Sequence, residues 1–177
     1  MCGLFGALYS DLPSKDVNIF VKKSLLGLNH RGPDGNGVWT KDTDRVVLGH
    51  TRLSILDLTE AGHQPMESAC GRYVLTFNGE IYNHLLLRKD LNNAGHLINW
   101  RGHSDTETLL ACFVFFGKEE TLKKIKGMFA IALWDKSKRC LFLARDRFGE
   151  KPLYYGWKNN SFLFASELKV FSYFKGE

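Results

Sequence analysis

The second residue of the chain is a cysteine, which stands ahead of two glycines in the stretch MCGLFG. If the initiator methionine is removed, Cys2 carries both a thiol and a free α-amine. A free thiol has a pKa of about 8.5 and an α-amine one of about 7.7–8.0, so near neutral pH the amine can take the thiol proton. A retained Met1 would keep that nitrogen in a peptide bond. These letters also fit a cysteine that simply begins a buried strand.

Three later stretches carry side chains that could bind a small molecule. Arg52 in GHTRLSILD has a guanidinium that can hold a carboxylate with two parallel hydrogen bonds. Asp105 in HSDTE could pair with an ammonium group, and Asn78-Gly79 in FNGEIYN could donate hydrogen bonds. Each also has a simpler interpretation: a surface arginine, an acid that favours the helix dipole, and a turn that ends a strand.

Composition and charge exclude several other classes of protein. The 177 residues fit one domain, and 44% hydrophobic with 24% charged residues is typical of a soluble globular protein. The net charge is +5, but the only dense basic patch, KKIK at 123–126, follows two glutamates and indicates a solvated helix face. We therefore expect no nucleic-acid binding. The chain shows no signal-peptide pattern, and its longest apolar run, at 109–116, is too short to cross a bilayer, so we expect a cytoplasmic protein with no membrane contact.

The cysteines and histidines do not have the spacing of metal ligands. The six histidines form no ligand pattern, and the cysteines are too far apart for CxxC pairs. The four cysteines are Cys2, Cys70, Cys112 and Cys140. We expect reduced thiols and no metal site.

Hydrophobic periodicity predicts strands near both ends of the chain and helices between them. The predicted strands are 3–9, 37–40, 45–50, 73–77, 128–134, 140–146, 152–157 and 162–166, and the predicted helices are 14–29, 85–93, 106–116, 119–126 and 167–174. We expect Ser14 to cap the first helix, Ser104 to open a capping box with Glu107, and Asn78-Gly79 to end a strand. Residues 52–70 look like a long ordered loop. Several strands are apolar on both faces and need cover on both sides, so we expect an α+β protein with stacked sheets.

Taken together and in this order, these stretches resemble the class II glutamine amidotransferases, which are N-terminal-nucleophile hydrolases with cysteine at their head. The sequence is most similar to the glutaminase domain of glutamine-hydrolysing asparagine synthetases. The resemblance covers nearly the whole chain and includes HRGPD, GHTRLSILD, QP at 64–65, NGEIYNH, SDTE, GMFAIALWD, RDRFGEKPLYYG and FASELK. It implies a four-layer αββα sandwich and a single glutamine amidotransferase domain over residues 1–177.

The resemblance also implies a role for each candidate residue. Cys2 would attack the side-chain amide of L-glutamine, and the Asn78 side chain and Gly79 backbone would form the oxyanion hole. Arg52 would bind the substrate's α-carboxylate and Asp105 its α-ammonium group. The pocket would be closed by Leu53, Ser54, Ile55 and Glu80. We expect Arg31 in HRGPD to support the site without taking part in the chemistry.

In asparagine synthetases this domain is followed by a larger synthetase domain, which uses ATP and Mg to activate aspartate. The pyrophosphate loop of that domain, of SGGxDS type, does not occur in these 177 residues. We expect the chain to be the glutaminase part of a longer enzyme and to need no cofactor itself. Three alternatives stay open: a paralogue whose acceptor is a sugar or peptide, a non-catalytic glutamine-binding relic, and a cysteine hydrolase of another substrate. The oligomeric state is not fixed by the sequence, and a homodimer remains open.

Overall fold

The computed structural model describes residues 1–10, 13–54 and 58–175. The strands in these residues are β1 Gly3–Leu8, β2 Gly35–Lys41, β3 Val46–Arg52, β4 Met66–Glu67, β5 Tyr73–Ile81, β6 Gly127–Asp135, β7 Cys140–Arg145, β8 Tyr154–Lys158 and β9 Ser161–Ala165. The α-helices are α1 Ser14–Leu28, α2 His84–Asn93, α3 Asp105–Phe115, α4 Gly117–Lys124 and α5 Lys169–Tyr173. Short 3₁₀ turns occupy Asn29–Arg31, Asp42–Asp44 and Glu60–Gly62. No described helix is long and apolar enough to cross a membrane.

The strands form two antiparallel sheets. In the described residues, the first sheet has five strands in the order β2-β3-β1-β9-β8, and the second has four in the order β4-β5-β6-β7. The chain's first strand, β1, is central in the first sheet and pairs with β3 and β9 on either side. Strands β5 and β6 are central in the second sheet and pair over the nine residues Tyr73–Ile81. The centre of each sheet is therefore next to the segments predicted to carry the chemistry.

Alternate side chains of the central strands pack on opposite faces of each sheet, as the pleat requires. Between the two sheets, Leu4, Leu48, Val74, Ala132, Trp134 and Phe164 form one buried cluster. A second cluster packs α1 and α5 on the outside of the first sheet and includes Phe5, Phe20, Leu163 and Phe174. A third packs α2 and α3 on the outside of the second sheet and includes Leu75, Leu87, Leu109 and Ile131. These three apolar layers separate four layers of structure, so the expected αββα sandwich is confirmed.

One predicted boundary at the site is wrong. Strand β5 does not end at Asn78-Gly79 but continues to Ile81, with Asn78 opposite Ala130 and Gly79 opposite Phe129 on β6. A Cβ atom on Gly79 would overlap the carbonyl oxygen of Met128. Glycine is needed here because the neighbouring backbone comes so close, and the interpretation as a strand-ending turn is wrong.

The prediction that Ser14 caps the first helix is also wrong, while Ser104 does cap α3. Pro13 precedes α1, and its carbonyl oxygen accepts the first helical hydrogen bonds; Ser14 is already inside the helix. A proline with φ fixed near −60° can begin a helix without a side-chain cap. At α3, the Ser104 side chain accepts from the Glu107 N–H at 3.2 Å, which is the first half of the predicted capping box. The second half is not found among the described residues, because the Glu107 carboxylate accepts instead from the backbone N–H groups of Arg101 at 2.9 Å and Gly102 at 3.2 Å. The loop predicted over 52–70 contains the short strand β4, and the other predicted elements are present with ends displaced by a few residues.

Candidate active site

Cys2 lies immediately before β1 and beside the end of β3. The Leu53 N–H donates to the Cys2 sulfur at 3.3 Å, and the thiol lies 3.6 Å from the Leu53 carbonyl oxygen. On the other side, Arg31 Nε donates to the Cys2 carbonyl oxygen at 3.0 Å. Burial raises the pKa of the Cys2 thiol, and the Leu53 hydrogen bond partly offsets this effect. The thiol therefore needs a nearby base or positive charge to ionise near neutral pH.

Asn78 lies on β5 of the second sheet, and its side chain points toward the first sheet, next to which Cys2 lies. Alternate side chains of β5 lie on the same face of the sheet, so Asn78 is on the same face as Val74 and Thr76. Val74 packs in the layer between the two sheets, and Thr76 donates to the Gly49 carbonyl oxygen of the first sheet at 3.3 Å. Asn78 is 2% exposed, and its Nδ2 has no hydrogen-bond partner among the described residues. An unpaired buried donor is costly and rare. This one lines a cavity, where a ligand oxygen could accept its hydrogen bond.

The backbone N–H of Gly79 is directed to the same cavity. On either side of it, the Phe77 N–H donates to Gln64 Oε1 at 2.7 Å and the Ile81 N–H donates to Asp105 Oδ2 at 2.8 Å. Both bonds point away from β6. Because backbone groups alternate in direction along a strand, the Gly79 N–H points to this same edge. The Asn78 amide and the Gly79 N–H thus meet at one place.

Asp105 is a buried carboxylate at the first position of α3. It is 5% exposed, and the structure records no ion pair between it and a described residue. Burial raises its pKa to about 6, against hydrogen bonds from the backbone N–H groups of Ile81 and Thr106 and with a small further rise from the charge of Glu80. At neutral pH the carboxylate is ionised and faces a cavity, which suits a cationic ligand.

Arg52 and the two residues after it are fixed by contacts with loops. Arg52 Nη1 donates to the Thr59 carbonyl oxygen at 3.0 Å, and the Ser54 N–H donates to Asp34 Oδ2 at 2.8 Å. Leu53, between them, contacts Cys2, so each of the three residues is held by a different segment of the chain. Ile55, which was predicted to help close the pocket, lies outside the described residues.

His50 joins the two sheets behind the thiol. It is fully buried, and its Nε2 donates to the Phe77 carbonyl oxygen at 3.1 Å. Burial lowers its pKa to about 3, so the imidazole is uncharged at neutral pH. Gln64 has a similar structural role, since it accepts from Phe77 and donates from Nε2 to Thr106 Oγ1 at 3.3 Å. Neither residue was singled out from the sequence, although both stand inside stretches that carried the resemblance.

One cavity of about 220 Å³ brings these groups together. Its lining includes every predicted site residue that the structure describes: Cys2, Arg52, Leu53, Ser54, Asn78, Gly79, Glu80 and Asp105. It also includes residues that the sequence reasoning missed, namely His50, Gln64, Thr106, Met128 and Lys151. Over residues 1–10, 13–54 and 58–175, no group of three or more histidine, cysteine or carboxylate side chains could hold a metal ion.

Comparison with known proteins gives the family of this fold and site. The sequence profile of the glutamine amidotransferase domain family matches residues 1–176. The chain belongs to this family. The cavity of this glutamine amidotransferase domain is lined by the Cys2 thiol, by the two N–H donors of Asn78 and Gly79, and by the charged side chains of Arg52 and Asp105. Such an arrangement can hold a zwitterion and place a carbonyl carbon next to the sulfur.

Several glutamine-hydrolysing asparagine synthetases contain a similar domain. Asparagine synthetase 1 of Bacillus subtilis is 41% identical over 172 residues, which cover 96% of this chain and 26% of that protein. A putative asparagine synthetase of Mycobacterium tuberculosis is 44% identical over a match that covers 96% of this chain and 27% of that protein. Asparagine synthetase B of Escherichia coli is 38% identical, and the match covers 96% of this chain and 30% of that protein. The chain thus spans less than a third of the length of each of these relatives.

The fold is shared with a more distant amidotransferase. The structure superposes on glutamine phosphoribosylpyrophosphate amidotransferase from Bacillus subtilis with a TM-score of 0.76, over 97% of this chain and 43% of that one. The two sequences are 22% identical. The likeness therefore concerns the fold of the glutamine amidotransferase domain.

Proposed function

We propose that this domain hydrolyses L-glutamine to glutamate and ammonia through a thioester on Cys2. The observation that carries the proposal is one cavity in which the Cys2 thiol faces the Asn78 amide, whose Nδ2 has no hydrogen-bond partner in the part of the chain that the structure describes; Arg52 and Asp105 also line this cavity. A free amino acid has one carboxylate and one ammonium group, and the Arg52 guanidinium and the Asp105 carboxylate can each pair with one of them.

The reaction needs only groups of this chain and water. After removal of Met1, the Cys2 α-amine takes the thiol proton, and the sulfur attacks the side-chain amide carbon of glutamine. The oxygen of the tetrahedral intermediate accepts hydrogen bonds from Asn78 Nδ2 and the Gly79 N–H, and each such donor lowers the barrier by about 2.7–4 kcal/mol. The protonated amine then gives its proton to the leaving nitrogen, which departs as ammonia. Water attacks the γ-glutamyl thioester, releases glutamate and restores the thiol.

Substrate selection depends on the groups at the two ends of the cavity. The Arg52 guanidinium binds the α-carboxylate, and the ionised Asp105 binds the α-ammonium group. The backbone of Leu53 and Ser54, together with Glu80 and the sequence-predicted Ile55, closes the pocket around the substrate. A hydrolase of another substrate would have no use for this pair of charges.

For the whole protein, we infer a glutamine-hydrolysing asparagine synthetase of the cytoplasm. Its second domain would use ATP and Mg to activate aspartate and would accept the ammonia, so those cofactors would be bound there and not in the glutaminase domain. The names of the relatives that match 96% of this chain support this inference. A second candidate is a paralogue with another acceptor, since a Gibberella zeae protein named amidase chry2 is 37% identical over 89% of this chain.

The first test is an intact mass before and after incubation with a diazo-ketone that mimics glutamine. We expect a starting mass without methionine and then one covalent adduct, which is absent in Cys2→Ala. Cys140→Ala removes an exposed thiol far from the cavity and is the matched control, which should still take the adduct. A Met-free protein that takes no adduct would instead support the non-catalytic glutamine-binding domain.

A second test separates a glutaminase from other cysteine hydrolases. Arg52→Ala should raise the glutamine KM steeply with a smaller effect on kcat, because the guanidinium binds a part of the substrate that does not react. Arg147→Ala removes an exposed arginine outside the cavity and should leave KM unchanged. An unchanged KM in Arg52→Ala would contradict recognition of the α-carboxylate.

A further inference from the structure

Lys151 is a buried cation in the lining of the active-site cavity, and it has no part in the thioester chemistry described above. The residue is 7% exposed, and it lines the cavity together with Cys2, Asn78 and Gly79. Its Nζ donates to the sulfur of Met1 at 3.3 Å. A thioether is a weak acceptor, so this contact compensates poorly for the loss of water around an ammonium group.

The charge of Lys151 has no carboxylate beside it among the described residues. The two carboxylates that line the same cavity are Glu80 and Asp105, and neither lies within ion-pair distance of its Nζ. A buried ammonium without a counter-ion is unfavourable, and proteins keep such groups mainly where they act on a neighbouring group or a ligand. The question is which group it acts on.

The loop before β8 holds the backbone of Lys151 in place. The Asp146 carboxylate accepts from the backbone N–H groups of Phe148 at 3.1 Å, Glu150 at 2.9 Å and Lys151 at 3.0 Å. Arg145 Nε donates to the Lys151 carbonyl oxygen at 2.7 Å. None of these bonds involves residue 1, so the backbone position of Lys151 does not depend on whether Met1 is present.

Removal of Met1 takes away the sulfur that Lys151 contacts and leaves a new amine nearby. The Met1 sulfur is five covalent bonds from the Cys2 nitrogen, so the Lys151 Nζ lies within about 10 Å of the N-terminus of the processed protein. Two cations close together disfavour each other, so an ammonium group near an α-amine favours the uncharged form of that amine. We propose that the Lys151 ammonium keeps the Cys2 α-amine uncharged near neutral pH, so that the amine can take the thiol proton.

This inference rests on the proposed function and makes Lys151 a positioning residue that acts through the amine. Other charges act on the amine as well, but they are the same in every variant compared below. Two of them are cations that act in the same direction as Lys151, two are carboxylates that act in the opposite direction, and one is an uncharged histidine. They are Arg31, Arg52, Glu80, Asp105 and His50.

The test is the pH profile of glutamine hydrolysis for the Met-free protein and its Lys151→Met and Lys151→Arg variants. Glutamine is kept saturating, so that its ammonium group holds Asp105 ionised, and the acid limb of kcat then reports the protonation of the base in the enzyme–substrate complex. In Lys151→Met the limb should move to higher pH by about half a unit to one unit, as expected for the loss of one charge several ångströms from the amine. Activity at pH 6.5 should fall about three- to tenfold while activity at pH 9 is retained. Lys151→Arg keeps the charge and should keep the limb of the unmodified protein.

Two controls make the result specific. Lys123→Met removes an exposed lysine that pairs with Glu120 outside the cavity and should leave the limb in place. Lys151→Gln is a second neutral variant with a polar head, and it should reproduce the shift even if the methionine variant folds poorly. The same shift should appear in the pH dependence of labelling by the glutamine-like diazo-ketone.

The outcomes distinguish this inference from the proposed function. An unshifted limb in the neutral variants overturns the role of Lys151 while hydrolysis by the unmodified protein still supports the glutaminase. An equal loss at every pH with a raised glutamine KM would show that Lys151 contacts the substrate, which also overturns the inference. If the Met-free protein itself releases no glutamate and takes no label, the proposed function fails.

Discussion

Arg31 donates from Nε to the carbonyl oxygen of Cys2 at 3.0 Å, so an arginine from the HRGPD stretch holds the backbone of the nucleophile. The arginine is in turn held by Glu167, which accepts from its Nη1 at 3.2 Å. Glu167 also contacts His30 at 2.8 Å and Lys169 at 2.9 Å. The Arg31 side chain is 10% exposed, so water screens its ion pair only weakly. The position of the thiol therefore depends on a carboxylate that follows β9.

Replacing Arg31 should impair the chemical step more than substrate binding. In Arg31→Met we expect kcat to fall about 10- to 100-fold, because small misplacements of a reacting group have effects of that size. The glutamine KM should change little, since Arg31 does not line the cavity. Lys169→Met removes another partner of Glu167 but leaves the Arg31 contact intact, and it should keep normal kcat. Steady-state kinetics of the two variants side by side decide the point.

Asn78→Ala should lower kcat about 10²- to 10³-fold, because it removes one of two donors to the oxyanion. The KM should stay within a few-fold, since this donor is used mainly in the transition state. Asn92→Ala makes the same chemical change on the exposed face of α2 and should have no effect on kcat. If Asn78→Ala retains normal kcat, Asn78 is not a donor to the oxyanion.

Gly79→Ala should destabilise the fold. The new Cβ would overlap the Met128 carbonyl oxygen and lie 2.8 Å from the Phe129 Cα, and backbone atoms cannot move aside as a flexible side chain can. We expect the free energy of unfolding to fall by about 1–3 kcal/mol, as for other overpacked sites. In Gly35→Ala the nearest neighbour of the new Cβ is 4.0 Å away, so this variant is the control. Chemical denaturation curves of equal midpoint for the two variants would contradict a close approach of β6 to Gly79.

Glutamine binding should weaken as the pH falls through about 6, the pKa to which burial raises Asp105. Above that pH the carboxylate is ionised and can pair with the α-ammonium group; below it the carboxyl is protonated and neutral. Well below pH 6 the Kd should rise about tenfold per pH unit. Calorimetric titration of Cys2→Ala with glutamine measures this Kd without turnover.

A matched variant shows whether Asp105 is the group that titrates. Asp105→Asn should bind glutamine more weakly at pH 7.5 and should lose the pH dependence between pH 7 and 5. A Kd for Cys2→Ala that stays flat over the same range would mean that another group holds the α-ammonium.

Much of the fold follows from local patterns in the sequence. The alternating apolar residues of 128–134 predicted a strand, and in β6 those residues divide between the layer that holds Ala132 and the layer that holds Ile131. The Ser104–Glu107 cap was predicted from spacing and is present. These features need only a residue and its neighbours a few positions away, which is the range over which propensity and periodicity act.

The boundary at Asn78-Gly79 could not be predicted in this way. Asn-Gly usually favours a turn, so the local pattern predicts that the strand ends at these residues. In the structure, pairing with β6 continues past both residues, because a long ladder of backbone hydrogen bonds outweighs one dipeptide's preference. The same pairing orients the Gly79 N–H and the Asn78 side chain, so the geometry of the two donors depends on contacts 50 residues away in the chain.

The sequence by itself determined the kind of fold, the family, and the residues Cys2, Arg52 and Asp105 as candidates, because their types and order form a pattern. Only the tertiary structure decided that, among the described residues, the Asn78 amide has no hydrogen-bond partner beside the cavity and Lys151 is buried there without a carboxylate. Whether a side chain is buried, and whether it has a partner, depends on all the segments that pack around it. They arise only when the two sheets and the Asp146 loop come together.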